Sequence, residues 1–241
     1  MIMIYDDGHH ANAHVHMAVS MVTDTPASFC TASMIFDGCL ENTKLLIMPG
    51  GADLFYCEKL NGDGNQRIRD FVSQGGSYLG TCAGAYYGCS SLDWNKGEID
   101  GIRELSLSDA QAIGPVYDWV ENKEKIYEGS WIKAVEIETS TGVKLLTQYN
   151  GGPVFSEGDY DIIARYTDIE GKPPAIIVGK FGEGRYILSS PHIEIFGHLT
   201  YDRLYKIYNK SYEREKKEID KLLSYQDTQK EFFKKIIDQL L

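Results

Sequence analysis

The stretch from Lys44 to Gly88 constrains the fold more than any other, because it holds two strand-to-turn transitions that each end in glycine. Its centre is Gly80-Thr81-Cys82-Ala83-Gly84. The run Ser77-Tyr78-Leu79 leads in and small residues lead out, which predicts strand, sharp turn and helix with a thiol at the apex. This is the pattern of a nucleophile elbow with cysteine in place of serine. A nucleophile held on such a turn crowds its neighbours, so the positions two before and two after it must be small. The first turn of the following helix favours the thiolate. The competing reading of Cys82 is a small buried hydrophobe.

Upstream, Lys44 to Met48 predicts a buried strand, and Pro49-Gly50-Gly51 stands at its carboxyl end, where ligands gather in open α/β sheets. Two glycines there can present backbone N–H groups to an anion, which is half of an oxyanion hole. A plain Gly-Gly turn is the alternative. Asn61-Gly62-Asp63-Gly64 reads as a turn, and Asn65 to Gln74 as an amphipathic helix with Ile68, Phe71 and Val72 on its apolar side, stopped by Gly75-Gly76. The right-handed crossover rule then places Gly50-Gly51 and Cys82 at one sheet edge.

The N-terminal part repeats this alternation. Met1 to Tyr5 predicts a strand, Ala11 to Val22 a helix, Ser28 to Ala32 a strand and Met34 to Glu41 a short helix or turn, which together indicate a parallel sheet. His9, His10, His14 and His16 cluster here, and His10 and His14 would share one helical face. A metal site on that pair lacks a nearby cysteine or carboxylate other than Asp6 and Asp7, so a solvated or partly packed cluster and no metal are expected. From Leu92 to Tyr127 the pattern weakens, with Gly97, Gly101, Gly114 and Pro115 interrupting it. Trp131 to Glu138, Lys144 to Tyr149 and Asp161 to Tyr166 read as strands of an antiparallel half. Ala175 to Lys180 and Arg185 to Ser189 form a hairpin that runs into Pro191-His192-Ile193-Glu194.

That tetrapeptide bears on Cys82. A cysteine nucleophile needs a base within reach, and the base needs a third group to set its tautomer. In an extended segment, residues two apart point the same way, so Glu194 would reach the His192 ring. The alternative is a strand-end histidine beside a surface glutamate.

Charge and cysteine usage narrow the class of partner. The formal charge of −11 over 241 residues argues against a broad nucleic-acid surface. No apolar run approaches membrane-spanning length and the N-terminus lacks signal-peptide order, so a cytoplasmic protein is expected. Five cysteines, Cys30, Cys39, Cys57, Cys82 and Cys89, show neither C-x-x-C spacing nor a disulfide framework, and are expected to be reduced thiols. The tail from Tyr201 to Leu241 is helical by composition. Leu204, Ile207, Tyr208, Tyr212, Ile219, Leu222 and Leu223 mark a broken stripe, and Phe232, Phe233, Ile236, Ile237, Leu240 and Leu241 a cleaner one. A break near Gln226-Asp227 is expected, with Asp227 as N-cap. The helices would pack on the same chain or pair with a protein partner or second copy.

The order Pro49-Gly50-Gly51, Gly80-Thr81-Cys82-Ala83-Gly84, His192-Ile193-Glu194 resembles the class I glutamine amidotransferase-like fold. More closely, Pro49-Gly50-Gly51-Ala52-Asp53 with Tyr56-Cys57, Leu60-Asn61-Gly62, Gly64-Asn65, Ile68-Arg69, Phe71-Val72, Gly75-Gly76, Tyr78-Leu79-Gly80, Cys82-Ala83-Gly84 and Tyr86-Tyr87-Gly88 resembles the N-terminal domain of eukaryotic-type biotin protein ligases. The resemblance implies an α/β fold with a flavodoxin-like, mostly parallel sheet flanked by helices over residues 1–199, the helical extension 200–241 lying outside it. It implies Cys82 as nucleophile, His192 as general acid and base, Glu194 as its orienting partner, and Gly51 and Ala83 as oxyanion donors. Gly50, Asp53, Tyr56, Tyr86 and Tyr87 become candidate substrate-binding residues. Glutamine-using members place a glutamine four residues after the nucleophile, where this chain has Tyr86, which argues against glutamine as the substrate. Their His-Pro-Glu is His192-Ile193-Glu194 here, and no glycine-arginine-rich biotinyl-adenylate loop is present. The expectation is a cofactor-free, cysteine-dependent hydrolase of a small amide or peptide C–N bond, not a biotin ligase. The alternative is a non-catalytic small-molecule-binding or regulatory module with Tyr56, Tyr86 and Tyr87 as aromatic walls.

Overall fold

The computed structural model describes residues 1–8, 12–127, 132–196 and 212–241. Leu204, Ile207 and Tyr208 of the tail stripe, His9, His10 and Trp131 lie outside the described residues, as does the Tyr212 side chain.

A nine-stranded sheet forms the backbone of the molecule. Its first half is parallel: β1 (Ile2–Tyr5), β2 (Ala27–Cys30), β3 (Leu45–Met48), β4 (Ser77–Thr81) and β13 (Gly184–Ser189) lie in the order β2-β1-β3-β4-β13. That is the flavodoxin-like order, in which the switch point falls beside β1 and β3. The second half is antiparallel, with β12 (Pro174–Phe181), β11 (Asp161–Tyr166), β8 (Lys133–Thr139) and β9 (Lys144–Tyr149) following β13.

The inner strands alternate between two cores, as period-2 geometry requires. Ile2, Ile4, Leu45 and Ile47 face α1 (Asn12–Val22) and the C-terminal helix, whereas Met3, Tyr5, Leu46 and Met48 face the other layer. That second layer contains α2 (Ala32–Phe36), α3 (Asp53–Leu60), α4 (Asp63–Ser73) and α5 (Ala83–Gly88). A small four-stranded sheet, β10 (Val154–Phe155), β7 (Gln111–Gly114), β5 (Ser91–Trp94) and β6 (Ile99–Ile102), joins it. Neither this sheet nor α3 stood out in the sequence. The strands are only two to four residues long and two of them contain glycine, and α3 buries only Tyr56 and Leu60, one turn apart.

The C-terminal helices α6 (Tyr212–Leu223) and α7 (Gln226–Leu240) pack on the same chain. Phe232, Phe233, Ile236, Ile237 and Leu240 enter the main core, and Ile219 and Leu222 form a satellite cluster with Ile195. The break between them falls where expected, but Tyr225, not Asp227, occupies the N-cap. Asp227 lies inside the first turn, where its charge complements the helix dipole. No helix among the described residues is long and apolar enough to cross a membrane.

Candidate functional site

Cys82 stands at the end of β4 with φ 49° and ψ −103°, a backbone state that non-glycine residues rarely adopt. The two flanking glycines explain why this turn is available. A Cβ on Gly80 would stand 2.3 Å from Gly84 O, and one on Gly84 would stand 2.0 Å from Met48 O, so both positions exclude any side chain. Gly84 N donates to Pro49 O at 3.1 Å, which ties the elbow to the turn after β3. The parallel neighbours β3 and β4 thus bring Gly50, Gly51 and Cys82 to one edge.

His192 reaches the same point from β13. A Cβ on Gly50 would come within 2.4 Å of His192 Cε1 and 3.3 Å of Cys82 Cβ. Gly50 is therefore the space that lets imidazole and thiol approach. The segment after β13 is a turn, not the extended run expected. His192 N donates to Gln148 O at 2.7 Å and Ile193 N to Pro191 O at 3.1 Å. The turn still delivers the carboxylate, with His192 Nδ1 and Glu194 Oε1 at 2.7 Å. Thr81 Oγ1 donates to the same oxygen at 3.4 Å.

The electrostatics of the pair follow from this contact. Burial alone would lower the His192 pKa, but the Glu194 carboxylate and the Cys82 sulfur outweigh it and push the value up to about 10. Burial would raise Glu194, yet His192 and His14 hold it well below the usual carboxylate range. The sulfur influences the ring, but His192 Nε2 lacks a well-aligned hydrogen bond. Cys82 Sγ instead donates to Asn150 O at 3.5 Å. Burial pushes up the thiols of Cys30, Cys39, Cys57 and Cys89, and all five cysteines are free.

The backbone N–H groups of Gly51 and Ala83 make no hydrogen bond among the described residues. Gly51 and Ala52 are exposed while Cys82 is only 5% exposed, so solvent meets the elbow from the Gly51 side. The remaining candidates look inward. Tyr56 and Tyr87 are fully buried, and the Tyr56 hydroxyl donates to Pro49 O at 2.7 Å. Tyr86 donates to Gly151 O at 3.0 Å and packs edge-on against Trp94 with ring centroids 5.7 Å apart. These three tyrosines brace the elbow and its helix in the positions where aromatic cleft walls were expected. Asp53 pairs with Arg103 at 2.6 Å, and burial raises its pKa despite that cation.

His14, weighed in the sequence only beside His10, lies in the first turns of α1 and joins the triad instead, with Nε2 3.4 Å from Glu194 Oε1. Gln148 and Asn150, which no sequence motif marks, sit on and just after β9 and lie against His192 and Cys82. The sheet order held the clue for His14, since α1 begins at the carboxyl edge of β1, the same edge as the elbow.

A family model described as "Biotin-protein ligase, N terminal" matches residues 17–241. The chain belongs to this family. The match includes the C-terminal helices, which the sequence motifs alone had left outside it. An uncharacterized protein of Chlamydia muridarum is 38% identical over 162 residues, 64% of this chain and 61% of its own length. A biotin–protein ligase of Schizosaccharomyces pombe is 35% identical over 165 residues. That is 64% of this chain but 26% of the ligase, so the family member described here spans a minor part of that protein. A glutamine amidotransferase of Thermotoga maritima superposes with a TM-score of 0.60 at 14% identity, covering 99% of this chain and 96% of that one. The fold is therefore the class I glutamine amidotransferase-like α/β fold, and at this identity the likeness concerns fold alone.

Proposed function

We propose that this chain is a cysteine-dependent hydrolase of a small amide or peptide C–N bond, with Cys82, His192 and Glu194 as its triad. The observation that carries this reading is the 2.7 Å His192–Glu194 contact beside a cysteine held at φ 49°. Rotation of the thiol from Asn150 O toward the ring pairs Cys82 with His192, and the thiolate adds to the substrate carbonyl. The free N–H groups of Gly51 and Ala83 stabilise the oxyanion. His192 then protonates the leaving amine, and after its departure activates water to release the thioester. Glu194 holds the ring through Nδ1. Five free thiols support a reducing, cytoplasmic setting. Tyr86, where a glutamine would stand, supports a substrate other than glutamine. Similarity to 26% of a biotin–protein ligase does not carry ligation to this chain.

Intact-protein mass spectrometry after exposure to a library of small amides and esters tests the proposal. A covalent adduct on the native chain that is lost in Cys82→Ala supports it. An adduct on other cysteines, or none in either protein, would sink it. A second reading, a binding or regulatory module, is favoured by one observation: Cys82 is only 5% exposed, with its sulfur bonded to Asn150 O. Saturable ligand binding by Cys82→Ala, with no adduct on the native chain, would establish that alternative.

A further inference from the structure

We propose that His14, His192 and Glu194 form a binding site for a first-row divalent cation of the zinc class. Two imidazoles and one carboxylate are a zinc-binding set with an open fourth position. Their ligand atoms all lie within 4.8 Å of one another. Two ligands held about 2.0–2.1 Å from a tetrahedral zinc stand roughly 3.3 Å apart. His14 Nε2 and Glu194 Oε1 are already at 3.4 Å. His192 Nδ1, at 2.7 Å from the same carboxylate oxygen, needs to withdraw by only a few tenths of an ångström.

Burial supplies an independent argument. His14 is 3% exposed, His192 5% and Glu194 1%. Both ring nitrogens of His14, His192 Nε2 and Glu194 Oε2 are buried without a well-formed hydrogen bond. Buried polar atoms are almost always satisfied, so several orphans in one place call for an explanation, and a bound ion or water is one. The 3.4 Å approach of His14 Nε2 to Glu194 Oε1 is an ion-pair contact without the alignment of a hydrogen bond, so the His14 ring stays unsatisfied. A cation between the three side chains would satisfy His14 Nε2 of these atoms, bind His192 Nδ1 and Glu194 Oε1 beside it, and neutralise the carboxylate.

The site goes beyond the hydrolase reading and interacts with it. A cation on His192 Nδ1 and Glu194 uses the two atoms that form the orienting hydrogen bond, so the proton between them leaves to solvent as the metal enters. Cation occupancy and the Cys82–His192–Glu194 relay are then alternatives. A metal-bound chain would be the resting form and the metal-free chain the reactive one.

Equilibrium dialysis of the full, tag-free chain against zinc, and visible absorption of the cobalt-substituted protein, test this without any substrate. The expected result is one cation per chain with a tetrahedral cobalt spectrum. Binding falls by at least about tenfold in His14→Ala and in the near-isosteric Glu194→Gln. It is unchanged in His16→Ala, whose ring faces Ala27 O at 3.3 Å, outside the cluster. No stoichiometric binding by the native chain, or equal binding by His14→Ala, overturns the proposal, as does loss only in His16→Ala. Circular dichroism of each variant excludes loss through unfolding. Alkylation of Cys82 under a chelator reports on the hydrolase reading separately, so the two can fail independently.

Discussion

The two layers that cover the sheet solve the same burial problem in different ways. Between α1, α7 and the parallel strands the contacts are aliphatic and phenylalanine, with Val15, Val19, Phe232, Phe233, Ile236 and Ile237 in one core with Ile2, Ile4, Leu45 and Ile47, while Trp119, Tyr149 and Tyr166 belong to the antiparallel end of that core. Under α2 to α5 the core is rich in tyrosine, with Tyr5, Tyr56, Tyr78, Tyr86, Tyr87 and Tyr186. Several of those hydroxyls end on the backbone of the elbow region, with Tyr56 on Pro49 O at 2.7 Å, Tyr78 on Gly84 O at 2.8 Å and Tyr86 on Gly151 O at 3.0 Å. Apolar contacts are non-directional and supply free energy, whereas a buried hydroxyl must find a partner and so fixes a geometry. Burial between helices and parallel strands dominates the first layer, and hydroxyls tied to the backbone around Cys82 distinguish the second.

That contrast predicts that stability and site geometry can be damaged separately. Phe233→Ala, which empties a fully buried site in the first layer, should cost about 3–5 kcal/mol in denaturant unfolding. The alkylation rate of Cys82 in the folded fraction should stay the same. Gly84→Ala, whose Cβ would press on Met48 O at 2.0 Å, should cost about 1–3 kcal/mol. The displaced elbow should also lose acyl-enzyme formation by on the order of 100-fold. Equal effects of these two changes on Cys82 reactivity would erase the distinction between layers.

Smaller changes sharpen it. Tyr78→Phe should cost about 1 kcal/mol and slow Cys82 acylation, because Gly84 O loses its hydroxyl partner. Unchanged acylation would show that the brace is redundant. On α6, Glu218 accepts from Ala134 N at 3.0 Å and from Lys221 at 2.8 Å. Burial opposes its ionisation, but Lys221 and the Ala134 N–H win and lower its pKa. Its contribution is therefore present at neutral pH and lost as pH falls through the folded-state value. Glu218→Gln should remove that acid-side component, below about 1 kcal/mol, with no effect on Cys82.

Much of this arrangement was legible residue by residue. The spans Lys144–Tyr149 and Asp161–Tyr166 are strands as the alternation indicated, and the glycines at positions 80 and 84 have the steric role that an elbow requires. The His192–Glu194 contact was also legible, though its route was not: a turn with Ile193 N donating to Pro191 O, held to β9 by a bridge from His192 N to Gln148 O, replaces the extended segment. Tyr56 and Tyr87 misled in the other direction. Their nearness in sequence to glycine turns suggested a cleft, but their rings point into the core, and no local pattern records which face of a short helix is covered.

The elbow, the histidine and its carboxylate were determined by the chain itself, because steric exclusion around a strained turn and the chemistry of a thiol act over a few residues. What only the tertiary structure decided is the company they keep. His14 is 180 residues from Glu194, and Asn150 is 68 from Cys82, the latter separation closed by a contact of 3.5 Å. Such contacts depend on sheet order and on how loops from separate halves meet at one edge. Local periodicity carries no information about that meeting.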